Sequence, residues 1–127
     1  MYRIKKTIEI SAAHSLSLPY ESPCKNLHGH NWKIKVYLSS EVLTEYGMIV
    51  DFSDIKQAVK EKYDHKNLDD FIGQSTAERL AREIMCDIDN LLESKNPSAK
   101  CYMVEIEECD GSLASYGQTL KFRPASK

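Results

Sequence analysis

Hydrophobic and polar residues alternate along four segments of the chain, which is the pattern of strands that bury only one face. The segments are residues 2–11, 30–39, 101–108 and 113–122. In the first two, the even-numbered positions are mainly Ile, Val, Leu and Trp, whereas several odd-numbered positions are Lys, Arg or Glu. The pattern therefore predicts four strands, two toward each end of the chain.

Between the second and third strands, apolar residues recur at helical spacing in two segments. The first segment follows Ser53, a preferred N-cap residue, and runs to Lys62. The second follows Ser75-Thr76-Ala77-Glu78, which has the form of a capping box, and ends before Pro97. Its apolar stripe is Leu80, Ile84, Ile88 and Leu91. The order ββααββ predicts an α+β domain whose four-stranded, mostly antiparallel sheet carries both helices on one face.

Length and charge narrow the possible functions. The 127 residues fit a single domain, residues 1–127. A formal net charge of -2 gives no basis for expecting a nucleic-acid or membrane-surface binder. No apolar run approaches the roughly 20 residues that span a bilayer, and the N-terminal segment lacks the apolar centre of a signal peptide. A cytoplasmic protein is expected.

The four cysteines do not form a motif with one another. No Cys-x-x-Cys pair occurs, so neither a four-cysteine zinc site nor a disulfide framework is expected. Cys86 lies in an apolar helical pattern and is expected to be buried, whereas Cys101 and Cys109 lie near strand ends.

Three of the four histidines occupy positions from which they could bind one metal ion together. His28 and His30 are two residues apart, so in an extended segment their side chains point to the same face. His14 has the parity of the apolar face of the first strand. If the two strands pair, the imidazoles converge, and three imidazoles with one open position are typical of catalytic zinc. The alternative is that they are ordinary surface or capping residues.

Two further positions could handle protons. Cys24 precedes His28 by four residues, and a nearby dication and Lys25 would favour its thiolate; it could instead be a fourth zinc ligand or a buried thiol. Asp64-His65 joins a carboxylate to an imidazole, as general acid–base catalysis requires, but the pair could also be no more than a helix end beside a loop.

Glu108 has the parity of Val104 and Ile106, at the end of an apolar strand face. A carboxylate buried there needs hydrogen-bond donors. The amidine-like edge of a pterin or purine would provide two parallel hydrogen bonds. If the strand ends at Glu107, Glu108 is simply solvated, and the residues leave both interpretations open.

Taken together, these segments resemble the 6-pyruvoyl-tetrahydropterin synthase / 6-carboxytetrahydropterin synthase family over nearly the whole chain. The motifs are Ser11-Ala12-Ala13-His14, Cys24-Lys25-Asn26-Leu27-His28-Gly29-His30-Asn31, Gly47-Met48-Ile49-Val50-Asp51-Phe52, Asp64-His65-Lys66-Asn67-Leu68, Ser75-Thr76-Ala77-Glu78 and Val104-Glu105-Ile106-Glu107-Glu108. One departure is Tyr63, where a leucine commonly precedes Asp-His.

The resemblance implies a T-fold and a role for each candidate residue. It implies Zn²⁺ on His14, His28 and His30, with Cys24 as the proton acceptor. Asp64 and His65 would be a relay for the second proton, with which Glu108 is often grouped. Glu108 would anchor the pterin, and Thr76 would lie against its ring. It also implies a homohexamer, a dimer of trimers, with active sites between subunits.

Within the family, the spacing before His-Gly-His separates two branches. Three residues lie between Cys24 and His28, as in the bacterial 6-carboxytetrahydropterin synthases of queuosine (7-deazapurine) synthesis; five intervene in the animal pyruvoyl-type enzymes. The implied reaction converts 7,8-dihydroneopterin triphosphate to 6-carboxy-5,6,7,8-tetrahydropterin with release of acetaldehyde and triphosphate. The alternatives are triphosphate elimination alone, or a zinc- or pterin-binding protein without catalysis.

Overall fold

Two long antiparallel strands form the centre of the fold. In the computed structural model, which describes residues 1–117, β1 is Tyr2–His14 and β2 is His28–Ser40. Their register matches Tyr2 with Ser40 at one end and His14 with His28 at the other. Both predicted strands are confirmed, and both extend farther than predicted at the end that carries the histidines.

Three other strands complete a mixed sheet. They are β3 (Lys66–Asn67), β4 (Lys100–Cys109) and β5 (Ser112–Gly117), and the sheet order is β3-β1-β2-β4-β5. The prediction of four antiparallel strands is wrong in this detail, because β3 pairs in parallel with β1. Two residues are too few to show any period, so the alternation pattern could not reveal β3. Residues 118–122 of the predicted last strand lie outside the described part of the chain.

The two predicted helices are present, but the N-cap residue of each differs from the predicted one. Helix α1 is Phe52–Tyr63, and its N-cap is Asp51 rather than Ser53, because the Asp51 carboxylate accepts the Ser53 backbone N–H. Helix α2 is Ala77–Lys95, and its N-cap is Thr76. A capping box beginning at Ser75 is therefore not formed: Ser75 is fully buried and its hydroxyl binds elsewhere.

The core lies between one face of the sheet and the helices. Helix α1 packs on β1, and α2 packs on β4 and β5. The strands contribute buried side chains of one parity, among them Ile8, Ile10, Trp32, Ile34, Val36, Val104 and Ile106. Each such side chain contributes on the order of 1.5–3 kcal/mol by leaving water. The sheet thus has a fixed inner face, and the histidines lie at one end of it.

Two expectations about α2 need correction. Its buried stripe continues through Leu92 rather than Leu91, which is half-buried. Cys86 is exposed, although an apolar helical pattern predicted burial. It lies two residues from both Ile84 and Ile88, and a separation of two residues puts a helical side chain on the opposite side of the axis. Neither helix in residues 1–117 is long and apolar enough to cross a membrane.

Candidate metal centre

His14, His28, His30 and Glu108 converge at one end of the sheet. One potential ligand atom from each lies within 4.8 Å of the others. The strand pairing produces this arrangement, since His14 faces His28 directly and His30 faces Ala12 across the same ladder. The shared parity predicted for the three histidines therefore brings their rings together on the inner face.

Backbone carbonyls fix two of the rings. His14 Nδ1 lies 2.7 Å from the carbonyl oxygen of Ser75, and His28 Nδ1 lies 2.6 Å from that of Asn26. A carbonyl oxygen can only accept, so each Nδ1 carries a proton, and in the neutral ring Nε2 is then the nitrogen with the lone pair. Hydrogen bonds of this kind orient histidine ligands and set their tautomer in metalloproteins.

Trp32 supports the cluster from within the core. Its indole N–H donates to the Ala12 carbonyl at 3.1 Å. The ring packs edge-on against His14, with centroids 4.8 Å apart, and against His30, with centroids 5.2 Å apart. Because Trp32 is fully buried, these imidazoles rest on a rigid surface.

The surroundings of His30 favour its neutral form. The Nε2 atoms of His14 and His30 are buried without a hydrogen-bond partner in residues 1–117. Burial lowers the pKa of His30; Glu108 opposes this shift, whereas His14 and His28 reinforce it. Buried imidazole nitrogens that make no hydrogen bond and lie close to one another and to a carboxylate fit a divalent metal that accepts nitrogen and oxygen ligands.

Glu108 lies closer to the histidines than the sequence indicated. Its Oε1 is 2.9 Å from His30 Nε2 and 3.7 Å from His14 Nε2, and its side chain is 26% exposed. The pairing of β4 with β5 shifts register between Glu107 and Cys109, so Glu108 lies at the irregularity. The sequence left open whether Glu108 is solvated or binds a ligand, but it did not predict that Glu108 lies beside the histidines. In the antiparallel pairing of β2 with β4, Ile34 pairs with Ile106. Continuing this register by two residues places Glu108 opposite Trp32, and therefore close to His30 on the same strand face.

Sequence reasoning also missed Asp69, whose carboxylate lies behind His14. It accepts hydrogen bonds from the Ser15 backbone N–H, from the Ser15 hydroxyl at 2.6 Å and from the Ser75 hydroxyl. Burial acts to raise the pKa of Asp69, but the hydrogen bonds from Ser15 and Ser75 outweigh it and hold the pKa below its usual value. In the sequence, the only indication of Asp69 was that it is one of three carboxylates in the loop after α1.

Cys24 lies in the loop between β1 and β2, in a single 3₁₀ turn, Pro23–Lys25. The Ser22 side chain accepts the Cys24 backbone N–H, and the Cys24 carbonyl accepts the Leu16 N–H at 2.8 Å. The thiol is half-buried, and it is not part of the four-residue cluster found within residues 1–117. This placement speaks against a fourth-ligand role for Cys24.

Asp64 and His65 end α1 and hold β3 against β1. The Asp64 carboxylate accepts the Ser11 N–H at 2.9 Å, and the His65 N–H donates to the Ser11 carbonyl. His65 has a positive φ of 59°, which is uncommon for a non-glycine residue and is found at functional sites. Its side chain is 81% exposed, with Nε2 3.7 Å from Asp64. The ring lines an open cleft of about 580 Å³ that also reaches His30.

Thr76 lies one residue beyond Ser75, whose carbonyl holds His14. The Thr76 hydroxyl oxygen accepts the Arg79 N–H at 3.2 Å as the cap of α2. The start of α2 is thereby fixed beside the histidine cluster.

The α+β domain, with three histidines and a glutamate that could hold a metal ion at the end of two paired strands, has the architecture of a T-fold enzyme. The 6-pyruvoyl tetrahydropterin synthase family model matches residues 3–119. The chain belongs to this family.

Individual relatives agree in sequence and in structure. The 6-carboxy-5,6,7,8-tetrahydropterin synthase of Synechocystis is 34% identical over 126 residues, which cover 91% of this chain and 93% of that protein. The human 6-pyruvoyl tetrahydrobiopterin synthase is 28% identical over 134 residues and 90% of both chains. The solved structure of Caenorhabditis elegans 6-pyruvoyl tetrahydropterin synthase superposes with a TM-score of 0.73 at 28% identity, covering 93% of this chain and 96% of that one.

Proposed function

We propose that this protein is a zinc-dependent carbon–carbon lyase that makes 6-carboxy-5,6,7,8-tetrahydropterin. The substrate is 7,8-dihydroneopterin triphosphate, water is consumed, acetaldehyde and triphosphate are released, and the product serves queuosine (7-deazapurine) synthesis. The observation that carries the proposal is the convergence of three imidazoles, two of them with carbonyl-fixed tautomers, within a family of tetrahydropterin synthases.

The choice of reaction rests on one spacing and one relative. Three residues separate Cys24 from His28, and the Synechocystis relative bears the 6-carboxy name. The second candidate is the pyruvoyl-type reaction, which stops after triphosphate elimination. It is favoured by the human relative, whose alignment covers the chain equally well.

The three histidines would hold zinc, and bound zinc would act as a Lewis acid on the side-chain hydroxyls of the substrate. Cys24, as the thiolate, accepts the proton from the first side-chain carbon. Reprotonation on the ring makes this step an internal redox isomerisation that needs no external oxidant, and Asp64 and His65 form the relay that handles the second proton. The ketone formed on the first side-chain carbon then takes up the water molecule, and cleavage of the bond to the second carbon leaves the first carbon as the 6-carboxylate. The other two carbons leave as acetaldehyde, with loss of triphosphate.

Glu108 and Thr76 bind the pterin in this proposal. The Glu108 carboxylate accepts two hydrogen bonds from the amino-pyrimidine edge, and Thr76 lies against the ring. Glu108 is compatible with this role because its carboxylate is partly exposed at the edge of the histidine cluster.

The exposed relay supports a homohexamer, a dimer of trimers with active sites between subunits. His65 is mostly exposed in the single chain, which leaves its ring free to face the Cys24 of a partner subunit. The sheet also ends in β3 and β5, whose outer edges are unpaired within residues 1–117. Pairing between subunits would cover such edges.

Product analysis tests the function. Zinc-loaded protein is incubated with 7,8-dihydroneopterin triphosphate, and the products are identified by mass spectrometry, with Cys24→Ala protein prepared in the same way as the control. A 6-carboxylate with acetaldehyde supports the proposal. A pterin with a diketone side chain would establish the pyruvoyl-type reaction instead. Unchanged substrate would indicate a zinc- or pterin-binding protein without catalysis.

A further inference from the structure

Asp69 connects the two residues that flank His14 in space. Ser15 follows His14 in the chain, and the Ser75 carbonyl accepts the hydrogen bond of the His14 Nδ1–H. The Asp69 carboxylate accepts hydrogen bonds from both serines: the backbone N–H and the hydroxyl of Ser15, and the hydroxyl of Ser75. One carboxylate thus anchors both the backbone of His14 and the acceptor of its ring.

The position of Asp69 is itself well defined. The Asn67 side chain accepts the Asp69 N–H at 3.0 Å in a 3₁₀ turn, Leu68–Asp70. Leu68 of that turn is fully buried in the core. The carboxylate is therefore tied to the core on one side and to the His14 surroundings on the other.

We propose that Asp69 is a positioning residue for the metal centre, which anchors Ser15 and Ser75 around His14 and thereby raises the affinity of the three-histidine site for zinc. The inference rests on the proposed function insofar as it takes zinc as the bound ion. Asp69 itself does not belong to the histidine cluster, so it acts through His14.

The physical chain has two steps. In Asp69→Asn, one of the two carboxylate oxygens becomes an NH2 group and the charge is lost. Ser15 and Ser75 then no longer share two charged acceptor oxygens, and the Ser75 segment is held less tightly. The His14 Nδ1–H then loses a fixed partner, so the ring also populates the tautomer with the proton on Nε2. That tautomer cannot bind metal through Nε2, and zinc binding must first restore the other one.

Asp70 provides a matched control, because it is the next residue, also an aspartate, and exposed. Asp69→Asn and Asp70→Asn each remove one negative charge from the same turn. The zinc dissociation constant of each is measured by competition with a chromophoric chelator. Asp69→Asn is expected to bind zinc about 10- to 100-fold more weakly, the usual effect of losing a residue that orients a ligand. Asp70→Asn is expected to match the wild type.

A spectroscopic signature separates positioning from general destabilisation. In zinc-free protein with ¹⁵N-labelled histidine, ring nitrogen shifts report the tautomer of each of the four histidines. The wild type is expected to show His14 protonated on Nδ1, and Asp69→Asn is expected to add the Nε2–H form. Asp70→Asn should leave the spectrum unchanged.

A second variant keeps the test decisive if Asp69→Asn does not fold. Ser75→Ala keeps the carbonyl that holds His14 but removes the hydroxyl that donates to Asp69. It is expected to weaken zinc binding in the same direction, and the two substitutions combined should cost less than the sum of their separate effects, because they break one connection.

Each outcome bears on one of the two hypotheses. Wild-type zinc affinity and tautomer in Asp69→Asn, or in Ser75→Ala if it alone folds, would overturn the positioning role. A wild-type protein that binds zinc but makes no tetrahydropterin product would overturn the proposed function, while weaker zinc binding by Asp69→Asn would still support the role of Asp69. A wild-type protein that binds no zinc would overturn both.

Discussion

His14 and His28 are direct partners in the antiparallel ladder of β1 and β2, with ring centroids 4.6 Å apart. Residues opposite each other in such a ladder have Cβ atoms about 4.5–5.5 Å apart, close enough for two side chains to bind one ion. His30 adds a third ring from the same strand face as His28. The metal centre thus follows from the register of a single strand pair, and its consequences can be measured residue by residue.

Removal of one ligand should empty the metal centre. His28→Ala is expected to lose most bound zinc, because two imidazoles hold the ion far less tightly than three. The measurement is zinc content per chain by atomic emission after gel filtration. His65→Ala is the control, since this exposed histidine lies outside the cluster and its loss should leave zinc unchanged. Stoichiometric zinc in a protein lacking both His28 and His30 would contradict the assignment.

Cys24→Ala should separate catalysis from binding. A positioned base contributes a factor of about 10²–10⁴ to proton transfer, so the single-turnover rate should fall by that amount. Zinc content and melting temperature should stay near those of the wild type, because the thiol is only half-buried and is not part of the cluster. A normal rate with normal zinc would exclude Cys24 as the base and leave His65 as the leading candidate.

Glu108→Gln tests whether Glu108 binds the pterin or the metal. The amide keeps the shape of the side chain but loses the charge that strengthens the two hydrogen bonds to the amino-pyrimidine edge. We expect KM for the pterin to rise by about tenfold or more, which corresponds to the roughly 1.5–3 kcal/mol of a hydrogen bond to a charged group. Zinc content should be unchanged; its loss would instead identify Glu108 as a ligand.

Cys101 should resist alkylation in the native protein. Burial raises the pKa of the Cys101 thiol to about 12, and the nearby Asp89 contributes in the same direction. Because a raised thiol pKa means less thiolate at any lower pH, and the thiolate is the reactive form, iodoacetamide at pH 8 should leave Cys101 unmodified. Peptide mapping should show labelled Cys86 as the exposed control. Labelling of Cys101 at the rate of Cys86 without denaturant would contradict its burial.

The assembly should be measurable directly. We expect light scattering to give a mass of six times the 14.5 kDa chain at micromolar concentration. A monomer with full activity would rule out the shared active site, because His65 would then have to serve the Cys24 of its own chain.

The sequence predicted what alternation and spacing encode, and it missed what depends on contacts across the fold. Parity alone placed His14, His28 and His30 on one face, because side-chain direction in a strand follows directly from position. The strand β3 and the network of Asp69 were not predictable in this way. Both depend on how the loop after α1 folds back onto β1, through hydrogen bonds from Ser11 and Ser15.

Helix caps show the same limit at shorter range. Asp51 and Ser53 are both preferred N-cap residues, as are Ser75 and Thr76. In each pair, the neighbour that does not cap is engaged with another group: Ser53 donates to Asp51, and Ser75 donates to Asp69. Local preference names the candidates. Between Asp51 and Ser53 the local hydrogen bonds to Asp51 decide, and between Ser75 and Thr76 the hydrogen bond of Ser75 to Asp69 decides.

Trp32 can serve as an intrinsic fluorescent probe of the histidine cluster. It is the single tryptophan of the chain, so all indole fluorescence arises from one place, in contact with His14 and His30. A cation bound by these two imidazoles would change the electric field at the indole, whose ring centroid lies 4.8 Å from that of His14 and 5.2 Å from that of His30. Emission intensity and wavelength should therefore follow metal occupancy in real time, without a label and without substrate.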